Sequence, residues 1–423
     1  MKKLLLLASV LLFIGCVEPL DPIDDPDNPD KGNDMNMPVN WLIPNNRTTS
    51  ELRQDVRAVY DDYKRRFLES TPSGNHYILA RGTGGDGALC ATQSEAHGYG
   101  MIIFALANWD PDAKKIFDGM NQLRKAQPST GNPALMSWVV FPEHVNNTDP
   151  AETPGGSWEL PPPRRRSNAT DGDLDMAYAL LLAHKRWGYR PNQTYLDDAK
   201  KIIAAIKESN MHSPTHRTNV GDWSAWRNDG CTRPSDWMPG HFRAFAKATG
   251  DNFWNRAADT IYALFEQFEA HNSNTGLVSD FAIGSPIRPD PNGCFANEVP
   301  NFIHYSYNAC RVPWRIATDW IHNDVLRAEA QINKISTWLR GATNESPAAI
   351  RDGYRLNGTP LGSNTAGMPF VAPFAVGMVA DRANQQFLNN TWNVLRNNRD
   401  NSYGAAIQLL CMLLITGQWG APN

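Results

Sequence analysis

The chain has 423 residues, 41% of them hydrophobic, with 14 Trp and a formal net charge of −4. That length allows one large domain or two ordinary ones, and the slightly acidic balance argues against nucleic acid or an anionic membrane surface as a partner. Aromatic residues make up 10% of the chain; Trp faces can stack on sugar rings, although most Trp fill core.

Taken in chain order, Lys2 and Lys3 precede an apolar run from Leu4 to Ile14, too short to span a bilayer in the usual way, which reads as an export signal. It ends Phe13-Ile14-Gly15-Cys16, similar to a bacterial lipoprotein box with a bulky residue at Phe13. On that reading residues 1–15 are removed and Cys16 is lipidated. The protein is then an exported, membrane-anchored lipoprotein, on a leaflet the sequence leaves open. Secretion after a different cleavage is the alternative. Residues 16–45, rich in Asp, Pro and Asn, are expected to be a flexible acidic tether, because they bury too little to offset their ordering entropy. Residues 46–423 are expected to form one domain.

From there apolar residues recur at helical spacing. The pattern predicts helices over Leu52–Phe67, Tyr99–Trp109, Leu174–Trp187, Tyr195–Ser209, His241–Thr249, Trp254–Ala270, Val312–His322, Val325–Arg340, Phe370–Ala380, Gln386–Arg396 and Tyr403–Thr416. Pro, Gly and Asn cluster between them, notably at 146–163 and 284–293. Ser137–Phe141 and Arg351–Leu356 are candidates for a short strand pair. Besides Cys16 there are Cys90, Cys231, Cys294, Cys310 and Cys411, an odd set that leaves at least one free thiol. Cys294 with Cys310 is a plausible disulfide in an exported protein; buried free thiols are the alternative. No CxxC or Cys/His cluster suggests zinc.

Three segments carry candidate chemistry. Ala169-Thr170-Asp171-Gly172-Asp173-Leu174-Asp175, running on to Trp187, sets three carboxylates before an apolar helix. Thr170 or Asp171 could cap that helix, and its N-terminus favours negative charge. Ser94-Glu95-Ala96-His97-Gly98-Tyr99-Gly100-Met101 puts Glu95 near another helix start, with His97 and Tyr99 as possible hydrogen-bond partners. Tyr305-Ser306-Tyr307-Asn308-Ala309-Cys310-Arg311 follows the long loop 284–301, which carries Glu298.

The 169–187 string resembles the signature of glycoside hydrolase family 8, inverting enzymes that cut β-1,4-linked glycans. Softer matches run through Pro234–Phe245, Asp352–Gly358 and Leu414–Gly417, covering most of residues 50–418. The resemblance implies an all-α (α/α)6 barrel, a toroid of six helical hairpins with minor short β segments. It implies Glu95 as general acid, despite departures at Ala96 and Gly98, and Asp171 as the carboxylate of the cleavage subsite. Asp173 and Asp175 would serve as caps or supports behind it, and Trp138 as a stacking platform, with core packing as its alternative. Tyr99, Tyr307, Asn308 and Arg311 are candidate substrate-binding residues; Arg311 could equally be a structural ion pair.

An inverting glycosidase also needs a base, with the two carboxyls roughly 6.5–9.5 Å apart. The 305–311 segment is similar to a family element reading Tyr-Asp-Ala-x-Arg, whose Asp is the base. Here that place is Asn308, and an amide cannot take the proton of water. One branch of the family, including chitosanases and some glucanases, has Asn there and takes a Glu from the preceding loop, which makes Glu298 the provisional base. Asp290 or Asp280 could serve instead. A third possibility is a catalytically silent glycan-binding lipoprotein. An α/α-toroid polysaccharide lyase is a further rival, disfavoured by the carboxylate-led motifs. The expected substrate is a β-1,4 glucan or xylan, with chitosan possible. No cofactor, metal or nucleic acid is expected, membrane contact is expected only through the lipid on Cys16, and a monomer is expected.

Overall fold

The computed structural model describes residues 41–80, 90–142, 145, 166–188, 194–224, 230–291 and 302–422. Cys16 and the expected signal, most of the tether, Cys294 and Glu298 lie outside these residues. Twelve helices run through the described chain: α1 (Thr49–Phe67), α2 (Ser94–Leu106), α3 (Ala113–Ala126), α4 (Thr170–Trp187), α5 (Tyr195–Ser209), α6 (Pro239–Thr249), α7 (Phe253–Phe268), α8 (Val312–Asn323), α9 (Leu326–Thr343), α10 (Met368–Gly377), α11 (Gln385–Asn397) and α12 (Ser402–Ile415).

Their packing follows from composition. In α2, α4, α10 and α12 most residues are buried, so these helices are covered on all sides. In α1, α3, α7 and α11 the buried residues form a stripe, so one face stays in water. The even-numbered helices contact one another in the closed order α2–α4–α6–α8–α10–α12–α2. Each odd-numbered helix from α3 to α11 packs outside its predecessor, and α1 packs on α12. The result is the expected (α/α)6 barrel, two concentric rings built from helical hairpins.

Helix α3 has no counterpart among the predicted helices, although Ala113, Ile116, Phe117, Met120 and Leu123 mark its buried stripe. Among the described residues the short strands form four antiparallel pairs: β1 (Leu68–Ser70) with β2 (His76–Ile78), β3 (Thr92–Gln93) with β4 (Val139–Val140), β5 (Met211–His212) with β6 (Arg217–Thr218), and β7 (Ala282–Ile283) with β8 (Arg288–Pro289). Ser137–Phe141 and Arg351–Leu356 therefore do not pair with each other. Val139 and Val140 pair with Gln93 and Thr92, while Tyr354 bridges to Tyr305 and Pro360. The Cys294–Cys310 disulfide is also corrected. Cys310 is a free, buried thiol beneath the Tyr307 carbonyl, to which it donates at 3.1 Å; Cys411 is likewise a free, buried thiol, while Cys231 is disulfide-bonded.

Two glycines set the approach of α2 to α4. A Cβ on Gly98 would lie 2.9 Å from both the Asp175 Cβ and the Gly172 carbonyl oxygen, and one on Gly172 would lie 2.6 Å from the Ser94 carbonyl carbon. No side chain fits between the helices there. Their first turns, which carry Glu95 and Asp171, sit side by side.

Candidate active site

A cleft of about 330 Å³ opens over the N-terminal ends of the inner ring. Each inner helix contributes to its lining: Glu95 from α2, Asp171 from α4, Arg233 from the turn before α6, Asn308 and Arg311 from the turn before α8, Gly367 and Pro369 at the start of α10, and Asn401 and Tyr403 at the start of α12. Unpaired N–H groups and the helix dipoles make this end electropositive, which favours the carboxylates gathered there.

Arg311 is the hub. Its side chain is 1% exposed, and Nη1 donates to Glu95 Oε1 and, at 2.9 Å, to Asp171 Oδ2. Nη2 donates to Ser235 Oγ at 2.8 Å and to Asn308 Oδ1 at 3.1 Å. Burial lowers the Arg311 pKa to about 10, so it stays cationic at neutral pH. Asp171 is 2% exposed and receives a second cation, Arg233, whose Nη2 reaches Oδ1 at 3.1 Å. Burial works against the charge on Arg233, but Asp171 and Asp236 outweigh it and raise its pKa. Glu95 keeps 18% of its side chain accessible and accepts from the Tyr99 hydroxyl at 3.1 Å. The deeper carboxylate is thus clamped by two arginines, while the shallower one faces the cleft.

Trp138 and Tyr307 line the cleft. The backbone N–H of Ser94 donates to the Trp138 carbonyl and the Trp138 backbone N–H donates to the Ser167 carbonyl, both at 2.8 Å, so the Trp138 backbone is tied to the start of α2 and to the segment leading into α4. Tyr307 is 51% exposed, its ring edge-on to Phe370 at 5.0 Å, and its carbonyl accepts from the Tyr403 hydroxyl at 2.6 Å. An exposed aromatic face braced from behind suits a sugar ring.

The other acids of the signature lie deeper. Asp173 accepts from the Met136 N–H at 2.9 Å and Asn168 Nδ2 at 2.8 Å, and burial pushes its pKa up to about 7. Burial also opposes ionisation of Asp175, but a two-pronged bond from Arg315, at 2.7 and 2.6 Å, and a contact with His241 hold its pKa low. Both are supports rather than cleft groups, as expected. The expected cap is corrected: the N-cap of α4 is Ala169, with no side-chain cap bond, because the Thr170 hydroxyl is drawn to the Asn219 carbonyl at 2.6 Å and Asp171 already lies within the first turn. His97 does not partner Glu95; it is buried, with Nε2 on the Met120 carbonyl. Asp280 and Asp290 are 4% and 1% exposed and do not line the cleft, which removes them as bases facing it.

The structure brings together Glu95, Asp171, Trp138, Tyr99, Tyr307, Asn308 and Arg311. It adds Arg233, Ser235, Asp400, Asn401 and Tyr403, which sequence reading passed over. Two buried carboxylates demand more than one cation, and that requirement was the available signal for Arg233.

A model of glycosyl hydrolases family 8 matches residues 58–417. A β-glucanase of Niallia circulans is 35% identical over 89% of this chain and 87% of its own length. An endoglucanase of Bacillus sp. strain KSM-330 is 36% identical over 90% of this chain and 80% of its own. The apo structure of a β-1,3-1,4-glucanase from Paenibacillus sp. X4 superposes with a TM-score of 0.81 at 34% identity, over 90% of this chain and 96% of that one. With its barrel, its carboxylates and these likenesses together, the chain belongs to family 8 of the glycosyl hydrolases.

Proposed function

We propose that this hydrolase cuts internal β-1,4 bonds of a glucan, with inversion, and that mixed-linkage β-glucan is its first candidate polymer. The observation that carries this reading is the pair of carboxylates, Glu95 accessible and Asp171 sequestered, sharing one guanidinium at the floor of an open cleft. The names of the relatives favour glucan over xylan and chitosan. In this reading Glu95 gives its proton to the glycosidic oxygen as the bond to the anomeric carbon breaks. Water attacks that carbon from the opposite face, and a carboxylate takes its proton. Asp171, fixed by Arg311 and Arg233, holds the sugar at the cleavage subsite and offsets positive charge developing on the ring. Asn308 cannot accept the proton of water, so Glu298 is proposed as the base. Trp138 and Tyr307 are proposed as stacking faces. Lipidation of Cys16 is proposed to anchor the exported enzyme, and loss of labelled fatty-acid incorporation in Cys16→Ser would test it.

The test is release of reducing ends from mixed-linkage β-glucan, cellulose, xylan and chitosan by the wild-type protein and by Glu95→Gln and Glu298→Gln, with NMR of the first-formed anomer. Release from glucan as the α-anomer, abolished by both changes, would uphold the proposal. Full activity in Glu298→Gln would remove that base and leave the rest. Asn308 favours one other reading, a silent glycan binder, for which calorimetry would show oligosaccharide binding with no release from any polymer.

A further inference from the structure

We propose that Asp280 is a positioning residue: it orients the Asn308 carboxamide, and through it the Arg311 guanidinium that Glu95 and Asp171 share, so that position 308 has to carry an amide. The inference rests on the hydrolase reading above.

Asp280 lies beneath the turn that leads into α8, 4% exposed. Its Oδ1 accepts three backbone N–H groups, from Ser306 at 3.1 Å, Asn308 at 3.1 Å and Ala309 at 2.7 Å. Convergent N–H groups of this kind cradle an anion and fix the backbone around it. The Asn308 side-chain amide lies on the side of the same carboxyl and favours its ionised form. At its other end Asn308 Oδ1 accepts from Arg311 Nη2 at 3.1 Å, and the Asn308 carbonyl accepts from Arg311 Nε at 3.1 Å. Arg311 Nη1 then meets Glu95 and Asp171. A continuous chain of bonds therefore runs from a buried carboxylate to the two carboxylates of the cleft.

The polarity of that chain dictates the residue at 308. One end must donate to a carboxylate and the other must accept from a guanidinium, and a carboxamide does both. A carboxylate at 308 would satisfy Arg311 but would stand next to the Asp280 carboxyl that already accepts the residue-308 backbone N–H at 3.1 Å, where two carboxylates cannot both ionise without a large penalty. Asp280 does not line the cleft; it acts by holding residue 308, and Asn308 by holding Arg311.

The test is a double-mutant cycle of Asn308→Asp, Asp280→Asn and the pair of changes together, reading kcat and KM on mixed-linkage β-glucan and Tm by calorimetry. Asn308→Asp is expected to lower kcat about tenfold or more with KM nearly unchanged, and to lower Tm. Asp280→Asn sets two amide donors against each other and is expected to lower kcat similarly. In the combined variant the amide introduced at 280 donates to the carboxylate introduced at 308, whose other oxygen accepts from Arg311. It is expected to recover at least about fivefold in kcat over Asn308→Asp, a non-additive gain that a merely structural role for Asp280 would not give. Wild-type kcat in Asn308→Asp, or a combined variant no better than that single one, would overturn the proposal. If the wild-type protein releases no reducing ends from any polymer, the hydrolase reading fails separately. The Tm cycle then decides: coupling upholds the Asp280–Asn308 pairing, and additive losses overturn it.

Discussion

Replacing Arg311 by Met keeps much of the side chain's volume and removes every one of its donors. In the structure that strips Glu95 of the guanidinium it shares with Asp171, leaves Asp171 with Arg233, and frees Ser235 and Asn308 Oδ1. Breaking a buried ion pair by deleting one partner costs about 3–5 kcal/mol. Arg233 still compensates Asp171, and Glu95 can turn toward water, so the lower end, about 3 kcal/mol, is expected. Unfolding entropy of roughly 2 cal/mol/K per residue makes that about 4 °C in Tm for a chain of this size. Catalysis should suffer more than stability, because the same guanidinium sets the positions of both carboxylates. Loss of one preorganised donor costs about 10²–10³ in rate, and that range is expected for kcat/KM. Calorimetry and steady-state release of reducing ends measure the two effects. If Arg311→Met kept kcat/KM within about threefold of wild type, Arg311 would not be the hub of the site.

Gly98→Ala should cost about 1–3 kcal/mol, since its methyl would sit 2.9 Å from Asp175 Cβ and from a backbone oxygen of α4, with neither free to move; chemical denaturation measures it. The buried Asp173 and Asp280 have pKa values raised to about 7 in the fold. A carboxyl raised in this way contributes stability that is full below its unfolded pKa near 3.8 and is lost as pH rises through about 7. From these two groups Tm should therefore fall from about pH 4 to about 7 and level off above about 8, and Asp173→Asn should flatten that fall; an unchanged slope in the variant would remove Asp173 as a cause. Trp138→Ala should raise KM for long glucans by about tenfold with a smaller effect on kcat, the pattern of lost sugar stacking. Equal losses in kcat and kcat/KM would instead place Trp138 among groups that act only in the transition state.

Periodicity made the helical character legible, and the (α/α)6 barrel followed from the family resemblance; in the fold, all-round apolar runs such as 402–415 lie inside and striped ones such as 253–268 outside. Glu95 and Asp171 were singled out through the resemblance of the 94–101 and 169–187 strings to family elements; from the residues alone each read equally well as an acid at a helix start. Arg233 and Tyr403 were not, because each reaches the cleft from a different inner helix and ring closure is a property of the whole chain. Helix α3 was missed although its stripe is regular; its charged residues on the opposite face broke up the apolar run. The Cys294–Cys310 pairing failed because sequence separation says nothing of burial, and Cys310 is packed under Tyr307 and Tyr403. The role of Asp280 could not be read at all, since its three N–H partners come from a turn 26 to 29 residues away.

The central claim is that Glu95 protonates the leaving oxygen. Glu95→Gln keeps the shape of the side chain and cannot donate an acidic proton. Removing a general acid costs about 10²–10⁴ in rate, and only where the leaving group needs the proton. The measurement is kcat/KM of Glu95→Gln against wild type on β-glucan and on an aryl β-cello-oligoside with a dinitrophenolate leaving group. The account predicts a loss of about 10³ or more on the polymer and a much smaller loss on the activated substrate. Equal losses on both substrates, or retained activity on the polymer, would contradict it.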